Sequence, residues 1–420
     1  MTYAEALQYL YSQTPDFQKV GKLAYKPGLG NTLLLDEHFG HPHRRFASVH
    51  VAGTNGKGST SHMLAAVLQS AGYKVGLYTS PHLNDFRERI KVNGIEIPEQ
   101  RVVDFVEQHR AAVERIRPSF FELTMMMAFD FFAQEKVEAA IVEVGLGGRL
   151  DSTNVITPAL SIITNIGLDH TDLLGDTPEK IAREKAGIIK PGVPVVVGEY
   201  QPEVAHVLEQ KAAGCGAPLT FASRQYSCRD AARYKLDLHG SYQQRNLCTA
   251  LAAIECLRQR SVFSLSQKNI EDGLRTAAAA TGLRGRWQQL CGAPKIICDT
   301  AHNPHGLQQT MAQLAREEYG RLHIVFGMVA GKDIDSAAAL LPRSALYYFT
   351  QASVPRAMPA DAVAGTCRTA GLQGEAYPTV AQAMLAAVKN AAANDCIYVG
   401  GSTFVVADAL EAYANLQTCT

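Results

Sequence analysis

The segment HVAGTNGKGSTSHMLAAVLQSAGYKVG places Gly53, Gly56, Lys57, Gly58 and Ser59 between a β-branched apolar run and an amphipathic stretch that closes at Gly72. Residues of these types, in this order, suit phosphate. Glycines let main-chain N–H groups wrap around phosphate oxygens, a helix N-terminus adds the positive end of its dipole, and Lys57 can bridge the outer phosphates while Ser59 or Thr60 reaches Mg2+. The spacing departs from GxxxxGK[ST], because Gly58 separates the lysine from the hydroxyl. An ordinary strand-to-helix turn is the plain alternative, and three glycines with a lysine inside six residues weigh against it.

Two later segments carry groups that could join such a loop. EVGLGGRLDSTN (143–154) sets Glu143 in an apolar run and follows it with three glycines, an arginine and an aspartate, while TNIGLDHTDLLG (164–175) ends another run with Asp169, His170 and Asp172. A buried lone carboxylate costs several kcal/mol unless it meets a cation, so Glu143 is better explained as a Mg2+ ligand than as a core residue. His170 alone reads as structural, and only its place beside the other groups turns it towards a site.

Groups spread this far along a chain meet only if strand ends bring them together. FASVHVAG (46–53), VGLYTS, AAIVEVG (139–145), LSIITNIG (160–167) and VPVVVG (193–198) are short, apolar on both faces and followed by glycine or a polar residue. These are the marks of parallel strands covered by helices in a doubly wound α/β domain, whose ligands bind at the carboxyl edge of the sheet. A helix is expected from about Gln244 to Leu257, and TAAAATGLRGRW (276–287) reads as a domain boundary. Beyond it KIICD (295–299), LHIVFG (322–327), LYYFT (346–350) and CIYVGG (396–401) restart the alternation in a second, smaller α/β domain.

Composition excludes several classes of function. The chain has 420 residues, 47% of them hydrophobic, so it can bury a core, and 40 basic against 40 acidic residues leave no net charge to attract nucleic acid or an anionic membrane. No apolar run approaches the ~18 to 20 residues of a membrane helix, and the first residues have neither a basic nor an apolar signal region, so a cytoplasmic protein is expected. Nine cysteines, all at or beyond Cys215 and without a CxxC pair, read as reduced thiols.

With GTNGKGS in front, the ordered motifs TSPHLNDFRERI (79–90), EVGLGGRLDSTN, LDHTDLLG, REKAGIIKPG (183–192) and DTAHNPHG (299–306) resemble the folylpolyglutamate synthases, in particular the bacterial enzymes that are also dihydrofolate synthases. These are relatives of the Mur ligases, and the resemblance runs from about residue 20 to 410. It implies a large, P-loop-type doubly wound N-terminal domain over 1–281 that binds ATP and pterin, and a smaller Rossmann-like C-terminal domain over 282–420 of the glutamate-ligase type.

Residue by residue, the resemblance implies ATP contacts at Asn55, Gly56, Lys57, Gly58, Ser59 and Thr60, and further ones at Asn246, Arg286, Asp299 and His302. Ser80, Glu143 and His170, with Ser59, are implied as ligands of two Mg2+ ions, and Lys185 matches a lysine carried as a carbamate. Carbamylation turns a cation into an extra carboxylate near crowded phosphates. Lys57, His170 and Lys185 are the implied catalytic set. In FGMVAGKDI (326–334), Gly331 stands where relatives have an aspartate, while Lys332 and Asp333 remain. Pterin contacts map onto Lys26 to Leu29, including Gly28, onto Ser119, Phe120, Phe121 and Glu122, and onto Leu150, Asp151 and Ser152. For Phe120 and Phe121 core packing is an equal reading, and for Asp151 a turn or helix cap.

The implied activity is ATP-dependent ligation of L-glutamate to dihydropteroate and to the glutamate tail of reduced folates, through an acyl phosphate, by a monomer that binds neither nucleic acid nor membrane. Three other readings stay open: a polyglutamylase acting only on reduced folates, a Mur-type amino-acid ligase, and a nucleotide-dependent scaffold. The second is disfavoured because the loop begins as early as Gly53, and the third because Ser80, Glu143, His170 and Lys185 are all present.

Overall fold

The computed structural model describes residues 1–13 and 28–418. They divide into two compact units, Met1–Asp237 with Gln243–Leu283, and Leu238–Tyr242 with Arg284–Thr420. The division falls inside the segment expected to be a boundary. Five residues, Leu238–Tyr242, go with the second unit although the flanking chain belongs to the first, which the expected limits of 1–281 and 282–420 did not include.

In the first unit one sheet contains β1 (Ala47–Ala52), β2 (Val75–Tyr78), β3 (Ile90–Val92), β4 (Ile95–Glu96), β5 (Ala139–Glu143), β6 (Leu160–Ile163), β7 (Val195–Val197) and β8 (Leu219–Phe221), in the order β4-β3-β2-β5-β1-β6-β7-β8. All pairs are parallel except β2–β3 and β3–β4. Strand β1 lies between β5 and β6, so after it the chain builds first to one side and then to the other. That reversal is the switch point at which open α/β sheets bind ligands. Register puts Val51 opposite both Glu143 and Ile162, so the ends of β1, β5 and β6 share one edge.

The helix Phe120–Gln134, with its run MMMAFDFF, is buried nearly all round, and with the helix Glu99–Ile116 it forms one apolar cluster. A second cluster is built from the helices Pro178–Ala186 and Pro202–Gly214 against β6 and β7. A helix apolar on every face is stable only when enclosed, so these contacts hold the sheet edge in place.

The second unit has β9 (Gln288–Gly292), β10 (Lys295–Asp299), β11 (Leu322–Phe326), β12 (Leu346–Thr350), β13 (Gln373–Tyr377) and β14 (Cys396–Gly400) in the order β13-β12-β11-β14-β10-β9, parallel but for β9. The doubly wound expectation holds in both units. The strands that sequence did not reveal are β3, β4, β8, β9 and β13. They lie at or beside sheet edges, are short or polar (QGEAY, QQLCG), and so lack the continuous apolar run of a strand covered on both faces.

Candidate active site

The loop after β1 closes onto the chain after β6. Thr54 N–H donates to the Asn165 carbonyl at 2.9 Å, Asn55 N–H to Asn165 Oδ1 at 3.0 Å, and Thr164 Oγ1 to the Asn55 carbonyl at 2.6 Å. Gly56 sits in the left-handed region at φ 83 and caps the helix Lys57–Ser70, and a Cβ there would stand 2.2 Å from Asn246 Oδ1. Only glycine fits both demands. Asn246, distant in sequence, is thereby seated against the loop. Lys57 is half-buried, and its Nζ reaches the Thr54 carbonyl at 3.3 Å. Gly58 follows it in the helix, and Ser59 and Thr60 are buried there. Thr60 Oγ1 has no hydrogen-bond partner, an orphaned acceptor and donor beside a helix N-terminus that favours anions.

Lys185 is 4% exposed near the end of the helix Pro178–Ala186, and its Nζ donates to the Gly53 carbonyl at 2.9 Å. Burial, with Lys57 nearby, holds its amine down to about 7. The same burial favours the neutral amine, which is the nucleophilic form. The turn after Glu143 rests on the same helix, because Arg149 N–H donates to the Glu184 carbonyl at 2.8 Å and its guanidinium pairs with the Glu184 carboxylate at 2.8 Å.

Glu143 ends β5 and is buried, with Oε2 accepting from Ser80 N–H at 3.1 Å, so two of the expected ligands meet. His170 adopts φ 51 at the start of the short helix Thr171–Leu174, and its N–H bonds Asp169 Oδ1 at 2.9 Å. A left-handed histidine is an unfavourable conformation that the surrounding loop must hold. Hydroxyl, carboxylate and imidazole donors suit a hard divalent cation. Among the described residues no three His, Cys, Asp or Glu side chains converge, and Mg2+ is a cation that commonly keeps several waters beside one or two carboxylates.

The segments expected at the pterin are packed together, with changes of role. Gly28, at φ 107, and Leu29 lead into the helix Gly30–His38, whose Thr32 hydroxyl donates to Glu122 Oε1 at 3.1 Å. Ser119 and Glu122 form a capping box, with Ser119 N–H to Glu122 Oε2 at 2.6 Å, so both oxygens of that carboxylate serve the scaffold. Phe120 is 1% exposed and stacked on Tyr11 at 5.1 Å, a core residue rather than a ligand contact. Phe121 is half-buried instead, its ring lying over Gly145 where a Cβ would come within 2.5 Å. Asp151 is also a cap: Oδ2 takes Leu146 N–H at 2.8 Å, and Oδ1 takes Thr153 N–H at 3.0 Å and the Thr153 hydroxyl. Burial raises its pKa against those bonds. Leu150 is half-buried and Ser152 buried beside it. Lys26 lies outside the described residues.

In the second unit Asp299 ends β10 with its carboxylate fully engaged by the Tyr242 hydroxyl (2.5 Å), Trp287 N–H (2.7 Å) and Ala301 N–H (2.8 Å). Burial raises its pKa, and Arg286, half-buried nearby, opposes the shift. His302 Nδ1 meets the Thr300 carbonyl at 3.0 Å. Gly331 is exposed at φ 82, and Asp333 caps the helix Ile334–Leu340 through Ser336 N–H at 3.0 Å. Sequence reasoning missed Thr164, Asn165, Gln243 and Tyr242. The polar pair directly after an apolar strand was the signal for the first two, while nothing in the spacing marked the others.

Residues 51–254 match the Mur ligase middle domain and residues 285–403 the Mur ligase glutamate ligase domain. The chain is 37% identical over 374 residues to the dihydrofolate synthase/folylpolyglutamate synthase of Escherichia coli, covering 86% of this chain and 85% of the relative. Among solved structures, E. coli FolC in complex with DHPP and ADP is similar with a TM-score of 0.86 at 32% identity and 99% coverage of each chain. The bifunctional synthase of Yersinia pestis complexed with AMPPNP and a Mn ion is similar with a TM-score of 0.83 at 32% identity, covering 99% of this chain and 98% of that one.

Proposed function

Because the chain belongs to the dihydrofolate synthase/folylpolyglutamate synthases of the Mur ligase family, and is thus an ATP-dependent ligase, we propose that it joins L-glutamate to dihydropteroate and to the glutamate tail of tetrahydrofolates. The observation that carries the reading is the buried Lys185 amine on the Gly53 carbonyl, at the root of a loop built for phosphate. A lysine desolvated there serves no packing purpose that an apolar side chain would not serve better. Reaction of its neutral amine with carbon dioxide would make a carbamate and release one proton, supplying an oxygen ligand where phosphate charge is concentrated.

Ser59, Ser80, Glu143, His170 and carbamylated Lys185 are the residues that would hold two Mg2+ ions. When bound, Mg2+ supplies positive charge against the transferring phosphoryl group. Lys57 and the main-chain N–H groups of Asn55 to Thr60 orient the phosphates, with Asn246 fixing the turn at Gly56. Asn246, Arg286 and His302 are the other proposed nucleotide contacts, while Asp299 braces the second unit through Tyr242, Trp287 and Ala301. A carboxylate oxygen of the acceptor attacks the γ-phosphorus and ADP leaves. The amino group of L-glutamate then displaces inorganic phosphate from the acyl phosphate, loses a proton and forms the amide. No side chain acts as nucleophile. The half-buried face of Phe121, with Gly28, Leu29, Leu150 and Ser152, is the proposed pterin surface, since a flat heterocycle suits an aromatic face. All substrates are small molecules, and a cytoplasmic monomer is the form in which the reaction is proposed to run.

ADP release is to be measured with L-glutamate and, in turn, dihydropteroate, tetrahydrofolate, a UDP-muramyl acceptor and no acceptor. Turnover is expected with the first two only. Tetrahydrofolate alone would reduce the assignment to polyglutamylation, and turnover with the muramyl acceptor would overturn it.

Asp151 gives a sharper check on the pterin surface. Removing its carboxylate strands a buried N–H group at Thr153 and a part-buried one at Leu146, the buried one worth ~1 to 3 kcal/mol, so Asp151→Ala is expected to lower Tm by roughly 5 to 10 °C. It should slow ligation to dihydropteroate and to tetrahydrofolate by the same factor, as a loosened loop serves both acceptors alike. A loss confined to dihydropteroate would instead give Asp151 a direct pterin contact.

A further inference from the structure

Gln243 opens the helix Gln243–Gln259 and is 0% exposed. Its Nε2 donates to Ser59 Oγ at 3.1 Å, and its Oε1 accepts from Asn246 Nδ2 at 2.8 Å. Asn246 presents its own oxygen to the backbone at Gly56. One buried amide therefore reaches both sides of Lys57: directly the hydroxyl at Ser59, and through Asn246 the left-handed turn at Gly56.

A serine in the first turn of a helix ordinarily rotates to bond a carbonyl three or four residues back. Here the Asn55 carbonyl accepts from Thr164 Oγ1 at 2.6 Å and the Gly56 carbonyl from Thr60 N–H at 2.9 Å, so a Ser59 proton turned to either would share an oxygen that is already bonded. Gln243 donates into one lone pair of Ser59 Oγ and leaves the hydroxyl its proton. A hydroxyl has two lone pairs and one proton, so what remains is one lone pair for a cation and one proton for a phosphate oxygen. The neighbouring hydroxyls of Thr60 and Ser61 are buried without any hydrogen-bond partner and have no such orientation imposed on them.

We propose that Gln243 is a positioning residue of the phosphate site, which sets the Ser59 hydroxyl for a divalent cation on the nucleotide without itself touching nucleotide or metal. The inference rests on the loop being the ATP site. It separates two properties that a packing role would join, namely affinity for the nucleotide alone and the gain in affinity that Mg2+ confers.

ADP binding should be measured calorimetrically with and without Mg2+ on the full chain and its variants. Gln243→Met keeps the volume and removes both the donor to Ser59 and the acceptor for Asn246. It is expected to bind metal-free ADP within about twofold of the parent while losing about tenfold of the Mg2+-dependent gain, the size of effect expected for a hydrogen bond serving a charged group. Gln243→Asn, whose amide is one methylene too short, should show the same loss and covers the case in which the methionine variant fails to fold. Acting through Ser59, either change should add nothing in a Ser59→Ala background. Equal weakening with and without Mg2+, or full additivity with Ser59→Ala, would overturn the proposal in favour of packing. Lys57→Ala is the control on the premise: parent-like MgADP binding there would remove the ATP site itself, whatever the Gln243 variants do.

Discussion

Lys57→Ala is expected to lower kcat by about 10^3-fold or more, the scale seen when a preorganised charge is removed from a transferring group, with Tm within a few degrees of the parent. The small stability effect follows from the contacts. Lys57 is half-buried at the first position of its helix, and its side-chain bond to the Thr54 carbonyl, at 3.3 Å, is long and only partly buried. The fold loses little when it goes. The phosphate site loses the only flexible cation of the loop, while the N–H groups and the helix dipole persist. Lys57→Arg should recover part of the rate, since it keeps the charge but offers a planar fork where a compact ammonium fits between helix start and phosphate. A well-folded alanine variant with parental turnover would falsify the phosphate-loop reading.

Lys185→Ala should be nearly inactive for a different reason. The side chain is buried, and among the described residues its amine is hydrogen-bonded to a carbonyl oxygen and to no carboxylate. As an ammonium it would be desolvated beside Lys57 and poorly compensated, which is why its proton is held so loosely. Conversion to a carbamate removes that cation and provides an anion that attracts both Lys57 and Mg2+. The alanine variant leaves a cavity at the Gly53 carbonyl large enough for a small carboxylate, so acetate or formate at high concentration should restore part of the activity. Glutamine, neutral and of similar length, should not rescue. Carbon-13 labelling of the active enzyme is expected to show a carbamate carbon that Lys185→Ala lacks. A free amine in the active, nucleotide-bound enzyme would sink the proposal.

Asp299 and Asp151 show where sequence reasoning stops short. The resemblance implies an ATP contact for Asp299, and for Asp151 either a pterin contact or a cap, and in the fold both are hubs: Asp299 gathers a tyrosine hydroxyl and two N–H groups, and Asp151 ties Leu146 to Thr153. A carboxylate beside a glycine-rich turn has the same sequence signature in either role. The outcome depends on how many donors the folded loop turns towards it. Phe120 and Phe121 make the same point with apolar groups, being adjacent and identical, yet one is enclosed and the other lies half-open over Gly145. Helical geometry sends successive side chains about 100° apart, and sequence alone does not say which direction is core.

The sequence by itself determined the class of chemistry and the frame that carries it. Glycines that must fold tightly, a lysine at a helix start and β-branched runs too apolar for an exposed strand are local demands, legible because each residue's own conformational and solvation preferences impose them. The tertiary structure alone decided which distant residues complete the site: Asn246 against Gly56, Gln243 on Ser59, Lys185 under Gly53 and Ser80 on Glu143. These pairs are separated by 63 to 190 residues. No local preference encodes them, since each arises only where sheet order lays the ends of β1, β5 and β6 along one edge and helix packing brings buried polar groups within reach of partners they cannot do without.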